Sequence, residues 1–409
     1  MASVIGWLDQ SEEHQRKMRE IIDLFSESDA RDEMGIGVVR DALSDLLFPG
    51  LSTIQTRARY FLFIPWIYLD LERRRTPSAK MAENARHRQT KLIYALEAGN
   101  EERGVIGINA KEKLKRLPDS VYWAGLGAFG VRRYRGEMSD YYRGIERFYR
   151  QATDAAGHES EELISGHRPH NWDLDLPDPP DGLFSGTTLN LRPAESEYLR
   201  QQMITAEPDT LLAYLLRRAN VVSDDVVHPW DTLDPTSASN VLIERVEYAR
   251  WFSEMISGAA LLYNLLLAEG ATRRNLQSGG ADSVENYRVK LDDWAALITA
   301  RATAIEGADR SRFWQLVHLA DGRVPESTRV FLDRWFDMAI AAPESIIESK
   351  DARELIIERE YRLKRGLARL QNPRQLELWG GSSGAGRLTY RWGTGRTMVN
   401  DIVNGLNGA

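Results

Sequence analysis

Arginine and tyrosine interleave along one stretch of this chain. Arg57 and Arg59 come first, followed by Arg73, Arg74 and Arg75, then Lys111, Lys113, Lys115 and Arg116. Arg132, Arg133, Tyr134 and Arg135 follow, and Tyr141, Tyr142, Arg143, Arg147 and Arg150 close the stretch. Guanidinium groups contact phosphate and aromatic rings stack on bases, so this mixture suits a polyanion such as DNA or RNA. A second group, Tyr361, Arg362, Lys364, Arg365, Arg369 and Arg374, lies nearer the C-terminus. Within it Arg362, Arg365 and Arg369 follow i, i+3, i+7 spacing and would share one helix face. The residues expected to touch nucleic acid are Arg57, Arg59, Arg132, Arg133, Arg135, Arg143, Arg362, Arg365 and Arg369. The competing expectation is that these side chains lie along the surface, paired with the many carboxylates.

Other chemistries lack their residues. There is no cysteine, which removes disulfides, thiolate zinc sites, iron–sulfur ligation and cysteine nucleophiles. The glycine-rich run Gly380 to Gly386 has no Lys-Ser/Thr after it, and Gly384-Ala-Gly386 continues as Arg-Leu-Thr, so neither phosphate-loop pattern is met. His158, His167 and His170 lie near Asp173 and Asp175, but Pro169 keeps His167 and His170 off one regular helix face, and no H-E-x-x-H occurs. Glu348-Ser-Lys350 imitates half of a nuclease site, yet Ile346, Ile347 and Leu355 around it are spaced like the core of a helix. No G-x-S-x-G elbow is present. The expectation is therefore no cofactor and no metal.

The elements that must carry these side chains read as helices. Val39, Ala42, Leu43, Leu46 and Leu47 trace one helical face, which Pro49-Gly50 ends. Ser52 is read as the cap of a helix towards Arg75, kinked or split at Pro65. Further helices are expected at Ser11–Phe25, Ala79–Ala98, Ala194–Ile204, Ser237–Ala268, Ser283–Ile305, Pro325–Ala341 and Pro343–Leu370, with a short extended piece at Thr188–Arg192. No β-α-β alternation appears, which argues against doubly wound and barrel architectures. The fold expected is mainly α, two packed multi-helical subdomains with few short strands. At roughly 100–200 residues per domain, 409 residues suggest two or three. The boundaries expected are a basic helical domain at 1–175, a proline-rich linker at 176–193, a second helical domain at 194–379, and a glycine-rich mobile loop and tail at 380–409.

Charge is distributed unevenly. Residues 55–150 hold 20 Lys and Arg against 11 Asp and Glu, a net of +9 (20 − 11); residues 151–230 hold 5 against 14, a net of −9 (5 − 14). Against a total of −7, this contrast excludes a generally basic protein and leaves either a local polyanion surface or two solvated faces of opposite sign that attract each other. The longest apolar run, Ala259–Ala268, falls short of the about 20 residues a bilayer needs and is expected to be a buried core helix. With no signal peptide apparent, the chain is expected to be soluble and cytoplasmic, with no membrane partner.

One long segment carries a resemblance. It runs Met34-Gly-Ile-Gly-Val-Val-Arg-Asp-Ala-Leu-Ser-Asp-Leu-Leu-Phe-Pro-Gly50, continues Leu51-Ser-Thr-Ile-Gln-Thr-Arg-Ala-Arg-Tyr-Phe61, and ends Pro65-Trp-Ile-Tyr68. Ser120–Leu126, Phe129–Val131, Asn372–Trp379 and Tyr390–Trp392 extend it over nearly the whole chain. Together they resemble a bacterial family of unknown function. The resemblance implies a setting among anti-phage defence genes that include helicases and phospholipase D-like nucleases, and it implies no catalytic residues. Read on its own residues, the segment embeds Thr53, Gln55, Thr56, Arg57 and Arg59 among large apolar side chains, where polar groups need partners. Either Arg57 or Arg59 pairs internally with Asp41 or Asp45, or the cluster is a substrate or partner site.

The leading expectation is a non-enzymatic helical accessory subunit of a defence-type system that binds DNA or RNA, a helicase or nuclease partner, or both. The alternatives are a metal-dependent nucleic-acid-processing enzyme whose carboxylates are scattered in sequence, and a pure protein-interaction scaffold with internally neutralised charge.

Overall fold

The computed structural model describes residues 33–157, 170–276, 281–320 and 322–408. The helix expected at Ser11–Phe25 lies outside them, as do His158 and His167. The apolar face of the first described helix, α1 (Gly37–Leu47), is buried at Val39, Ala42, Leu43, Leu46 and Leu47, as its spacing predicts. Gly50 closes the turn after it with φ +71°, a conformation that favours glycine, and a Cβ there would lie 2.9 Å from that of Ala128.

The next helix, α2 (Tyr60–Arg73), starts later than Ser52 predicts. The backbone donors ahead of it are already taken. Gln55 accepts from Ser52 N, the Tyr122 hydroxyl accepts from Thr56 N and Arg57 N, and Asp401 accepts from Ala58 N. Pro65 sits inside α2 without splitting it, in a helix buried on every side from Tyr60 to Tyr68. Such all-round burial marks a central core helix.

The remaining helices are α3 (Ser78–Ala98), α4 (Pro118–Ala128), α5 (Met138–Gly157), α6 (Pro193–Ala206), α7 (Leu211–Arg218), α8 (Asn240–Arg273), α9 (Ala281–Ala300), α10 (Ala302–Glu306), α11 (Arg310–Leu319), α12 (Glu326–Ala341), α13 (Lys350–Lys364), α14 (Pro373–Glu377) and α15 (Trp392–Leu406). No strand occurs among the described residues; the one extended pairing there is an antiparallel bridge between Arg132 and Trp172. The fold is mainly α and multi-helical. Thr188–Arg192 forms no strand, and the helix expected at Pro343–Leu370 is broken into a 3₁₀ turn at Pro343–Ser345, α13, and a second 3₁₀ turn at Arg365–Leu367.

The chain divides into two compact units. One comprises residues 33–43 and Glu247–Leu388, the other Ser44–Val246 and Thr389–Ala409. Residues 176–193, the expected proline-rich linker, lie wholly inside the second unit. Prolines lack a donor but keep their carbonyls. Trp66 Nε1 donates to Pro177 O at 2.6 Å and Arg192 Nη2 to Asp178 O at 2.9 Å, fixing the segment.

In the first unit the core is built on α8. This helix is long and apolar enough to cross a membrane by length and composition alone, but 94% of its apolar window is buried inside the protein. Trp294 and Trp335 pack on it and donate to the carbonyls of Glu254 and Met255, both at 2.8 Å. Gly258 admits the Trp294 ring, since a Cβ there would stand 2.3 Å from it. Gly258→Ala is accordingly expected to cost about 1–3 kcal/mol through overpacking, read as a lower urea midpoint for the loss of near-ultraviolet tryptophan dichroism. The glycine-rich loop is pinned in the same unit, contrary to a mobile connector. Asn264 Nδ2 donates to Ser383 O at 2.7 Å, Ser383 N donates to Asn264 Oδ1 at 2.8 Å, and the Tyr287 hydroxyl donates to Gly381 O at 2.7 Å.

In the second unit α2 packs against α3 and α4, α3 against α5, and α15 against α6 and α7.

Candidate binding site

The polar cluster of the long N-terminal segment is satisfied from within. Arg57 Nε reaches both oxygens of Asp401 at 2.9 Å, and Asp401 Oδ2 also accepts from Ala58 N at 2.8 Å. Burial pushes the Asp401 carboxyl above its ordinary range, and the Arg57 charge opposes that shift. Arg59 is buried and clamps Glu195 with two donors, Nε to Oε2 at 3.0 Å and Nη2 to Oε1 at 2.9 Å, while Nη1 donates to Thr188 O at 2.7 Å. Gln55 Nε2 reaches the carbonyls of Gly50 and Val121, and the Thr56 hydroxyl donates to Gly104 O. Internal pairing is thus realised with partners other than Asp41 and Asp45. Asp41 sits beside Arg40, and Asp45 binds Arg391. The cluster ties α2 to α4, α6 and α15, and its two arginines are spent on that task.

A cavity of about 210 Å³ opens beside the C-terminal half of α2. Trp66, Leu69, Glu72 and Arg73 line it from α2, Phe148 from α5, and residues 170–174 and 176–179 from the opposite wall. Glu72 is fixed there by three donors that all reach one oxygen. Asn171 Nδ2 and Trp172 Nε1 donate to Oε1 at 3.0 Å each, and the Tyr141 hydroxyl donates to it as well. Burial raises the Glu72 carboxyl above its ordinary range against the pull of these three bonds. Asp173 is compensated by Arg133, the Tyr198 hydroxyl at 3.1 Å and Gln202 Nε2 at 2.8 Å. Behind the cavity the Tyr68 ring stacks on Trp172, with centroids 5.6 Å apart, and its hydroxyl donates to the buried Asp119 at 2.7 Å. Nothing in the sequence singled out Glu72, because its donors lie 69 to 100 residues away.

The expected nucleic-acid residues of this unit divide sharply. Arg132 lies over the Trp123 ring at 4.6 Å and donates to the carbonyls of Trp123, Tyr134 and Gly136. Burial lowers the Arg132 guanidinium below its ordinary range, and the nearby Glu137 charge opposes that shift. Arg132, Arg133 and Arg135 line an open depression of about 470 Å³, and Arg135 is exposed. Arg143 pairs with Asp140 on its own helix. Further along α5, Arg147 and Arg150 are exposed, and neither makes an ion pair among the described residues. Arg143, Arg147 and Arg150 follow i, i+4, i+7 spacing and share the solvent face of α5, opposite the buried Tyr141 and Ile145. Glu146 on that face is occupied by Ser78, though its charge is felt by Arg150.

Residues 55–59 of the long N-terminal segment are therefore engaged in packing within the second unit. The chain belongs to DUF6361. This is a family of unknown function, and its model matches residues 2–405. No curated protein and no solved structure matches the chain.

The DUF6361 chain carries its second basic group in the first unit, where the expected common face is not formed. α13 ends at Lys364, and Arg365 at φ +52° turns the chain away, so Arg369 is not on that helix. Arg362 and Arg365 are exposed. Arg369 is drawn inward to Glu33, at 3.1 Å, and to Ser383 Oγ, at 2.7 Å. Among the described residues no group of three histidine, aspartate or glutamate side chains could hold a metal ion.

Proposed function

We propose that this chain is a non-catalytic, cytoplasmic accessory protein of an anti-phage defence-type system that binds nucleic acid along the exposed face of α5. The observation that carries the reading is that Arg147 and Arg150, exposed beside Arg143 on one helix face, make no ion pair among the described residues. Exposed arginines in solvent remain available to phosphate even beside Glu146, whose charge Arg150 feels, whereas Arg57, Arg59 and Arg369 are engaged by buried carboxylates. Arg135, Lys113, Lys115 and Arg116 are exposed in the same unit and extend the field without themselves reading sequence. A helicase or nuclease of the same system would supply the chemistry. The test is an Arg147→Glu, Arg150→Glu variant, which should weaken binding to single-stranded DNA or RNA. It should also lower the slope of log affinity against log salt by about 2. An unchanged slope would remove α5 from the interface.

The internal neutralisation of Arg57, Arg59, Arg133 and Arg369 favours a second reading, a protein-interaction scaffold. Under it nucleic acid binds neither protein, and a helicase or nuclease co-purifies with both.

A further inference from the structure

The cavity beside α2 has features that phosphate binding does not use. Glu72 lines it, and three donors occupy Oε1 alone, while Oε2 makes no hydrogen bond to any described residue. A partly buried carboxylate oxygen left open is an acceptor available to a donor from outside the chain. Trp66 is held in place by its bond to Pro177 O, and Trp172 by its bond to Glu72, so two indoles line the site in fixed positions. A carboxylate attracts cations, and the attraction strengthens where water is scarce, as beside these two almost wholly buried indoles. At the rim Asp178 adds negative charge and Arg73 opposes it, while Asp173 is already compensated by Arg133. The volume of about 210 Å³ is below the roughly 300–1,000 Å³ of pockets that enclose drug-sized ligands, so the occupant is of side-chain size.

We propose that this cavity binds a positively charged nitrogen group of side-chain size, a guanidinium or alkylammonium, with Glu72 Oε2 as its acceptor and Trp66 and Trp172 as its walls. The group belongs either to an arginine or lysine of a partner protein or to a free polyamine. The proposal does not rest on nucleic-acid binding, since the probes that test it carry no phosphate.

The experiment is calorimetric titration of the full chain with N-acetyl-arginine amide, its neutral isostere N-acetyl-citrulline amide, and spermidine. The arginine compound should bind saturably at one site, about tenfold or more tighter than the citrulline compound, the discrimination expected from one charge-assisted bond. Glu72→Gln keeps an acceptor for the three internal donors and should abolish that preference. Arg73→Ala, which removes only the opposing rim charge, should strengthen binding of the arginine compound. A tighter arginine compound assigns the site to a protein side chain, and a tighter spermidine assigns it to a polyamine. Equal binding of the charged and neutral isosteres by the folded protein, or a preference that survives Glu72→Gln, would overturn the proposal.

Discussion

Glu195→Ala is expected to destabilise the second unit by about 3–5 kcal/mol, the range for removing one partner of a buried ion pair. Glu195 is fully buried and receives two bonds from Arg59, which is itself 4% exposed. It also accepts from Arg192 N at 3.0 Å and Arg192 Nε at 2.5 Å, so its carboxylate both caps the first turn of α6 and neutralises two guanidiniums. Removing it strands the buried Arg59 charge beside Phe63 and Thr187, with no other ion-pair partner among the described residues. Urea denaturation followed by far-ultraviolet dichroism should show the shift. The double change Arg59→Met, Glu195→Leu removes both charges together and should recover much of the loss, because a matched apolar pair avoids the desolvation penalty. If Glu195→Ala costs under about 1 kcal/mol, the ion pair does not organise the unit in the way described.

A comparable loss is expected in the first unit for Glu360→Ala, about 3–5 kcal/mol by the same reasoning. Glu360 is fully buried on α13. It accepts from the Tyr263 hydroxyl at 2.6 Å, Lys364 Nζ at 3.3 Å, Arg369 N at 2.9 Å and Leu370 N at 2.9 Å. Two of these donors are backbone groups of the turn after α13, so the carboxylate holds that turn closed. Tyr263 is pushed well above its ordinary range, first by burial and then by the Glu360 charge, so it stays a neutral donor. In the alanine variant, amide exchange at Arg369 and Leu370 should rise first, before the rest of the unit responds. Unchanged protection at both amides would contradict the role assigned to Glu360.

Much of the architecture was legible in the sequence where one periodicity acted alone. The face of α1 could be read directly, and the apolar run Ala259–Ala268 announced the buried core helix found in α8. Elements whose ends depend on distant groups were not legible. α2 begins at Tyr60 because Tyr122 and Asp401 take the donors ahead of it, and no local rule at Ser52 foretells that. The turn at Arg365 removes Arg369 from its expected face, although the only local signal is the following Gly366.

The candidate site shows the same limit. Arginine content is visible in a sequence, but its pairing is not: Asp401 lies 344 residues from Arg57, and Glu195 lies 136 from Arg59. Arg147 and Arg150, which make no ion pair among the described residues, were visible as residues but not as one exposed helix face, because α5 was not read as an element. Glu72 had no linear signal at all, since its three donors are brought together only by the folding of α2, α5 and the segment around Trp172.

The most direct test of the account is binding of labelled single- and double-stranded DNA and RNA to the purified full chain across a salt series. The account predicts affinity that falls steeply as salt rises, and a shallower fall in the Arg147→Glu, Arg150→Glu variant. No binding of any of these nucleic acids at low salt, by a protein shown to be folded, would contradict it.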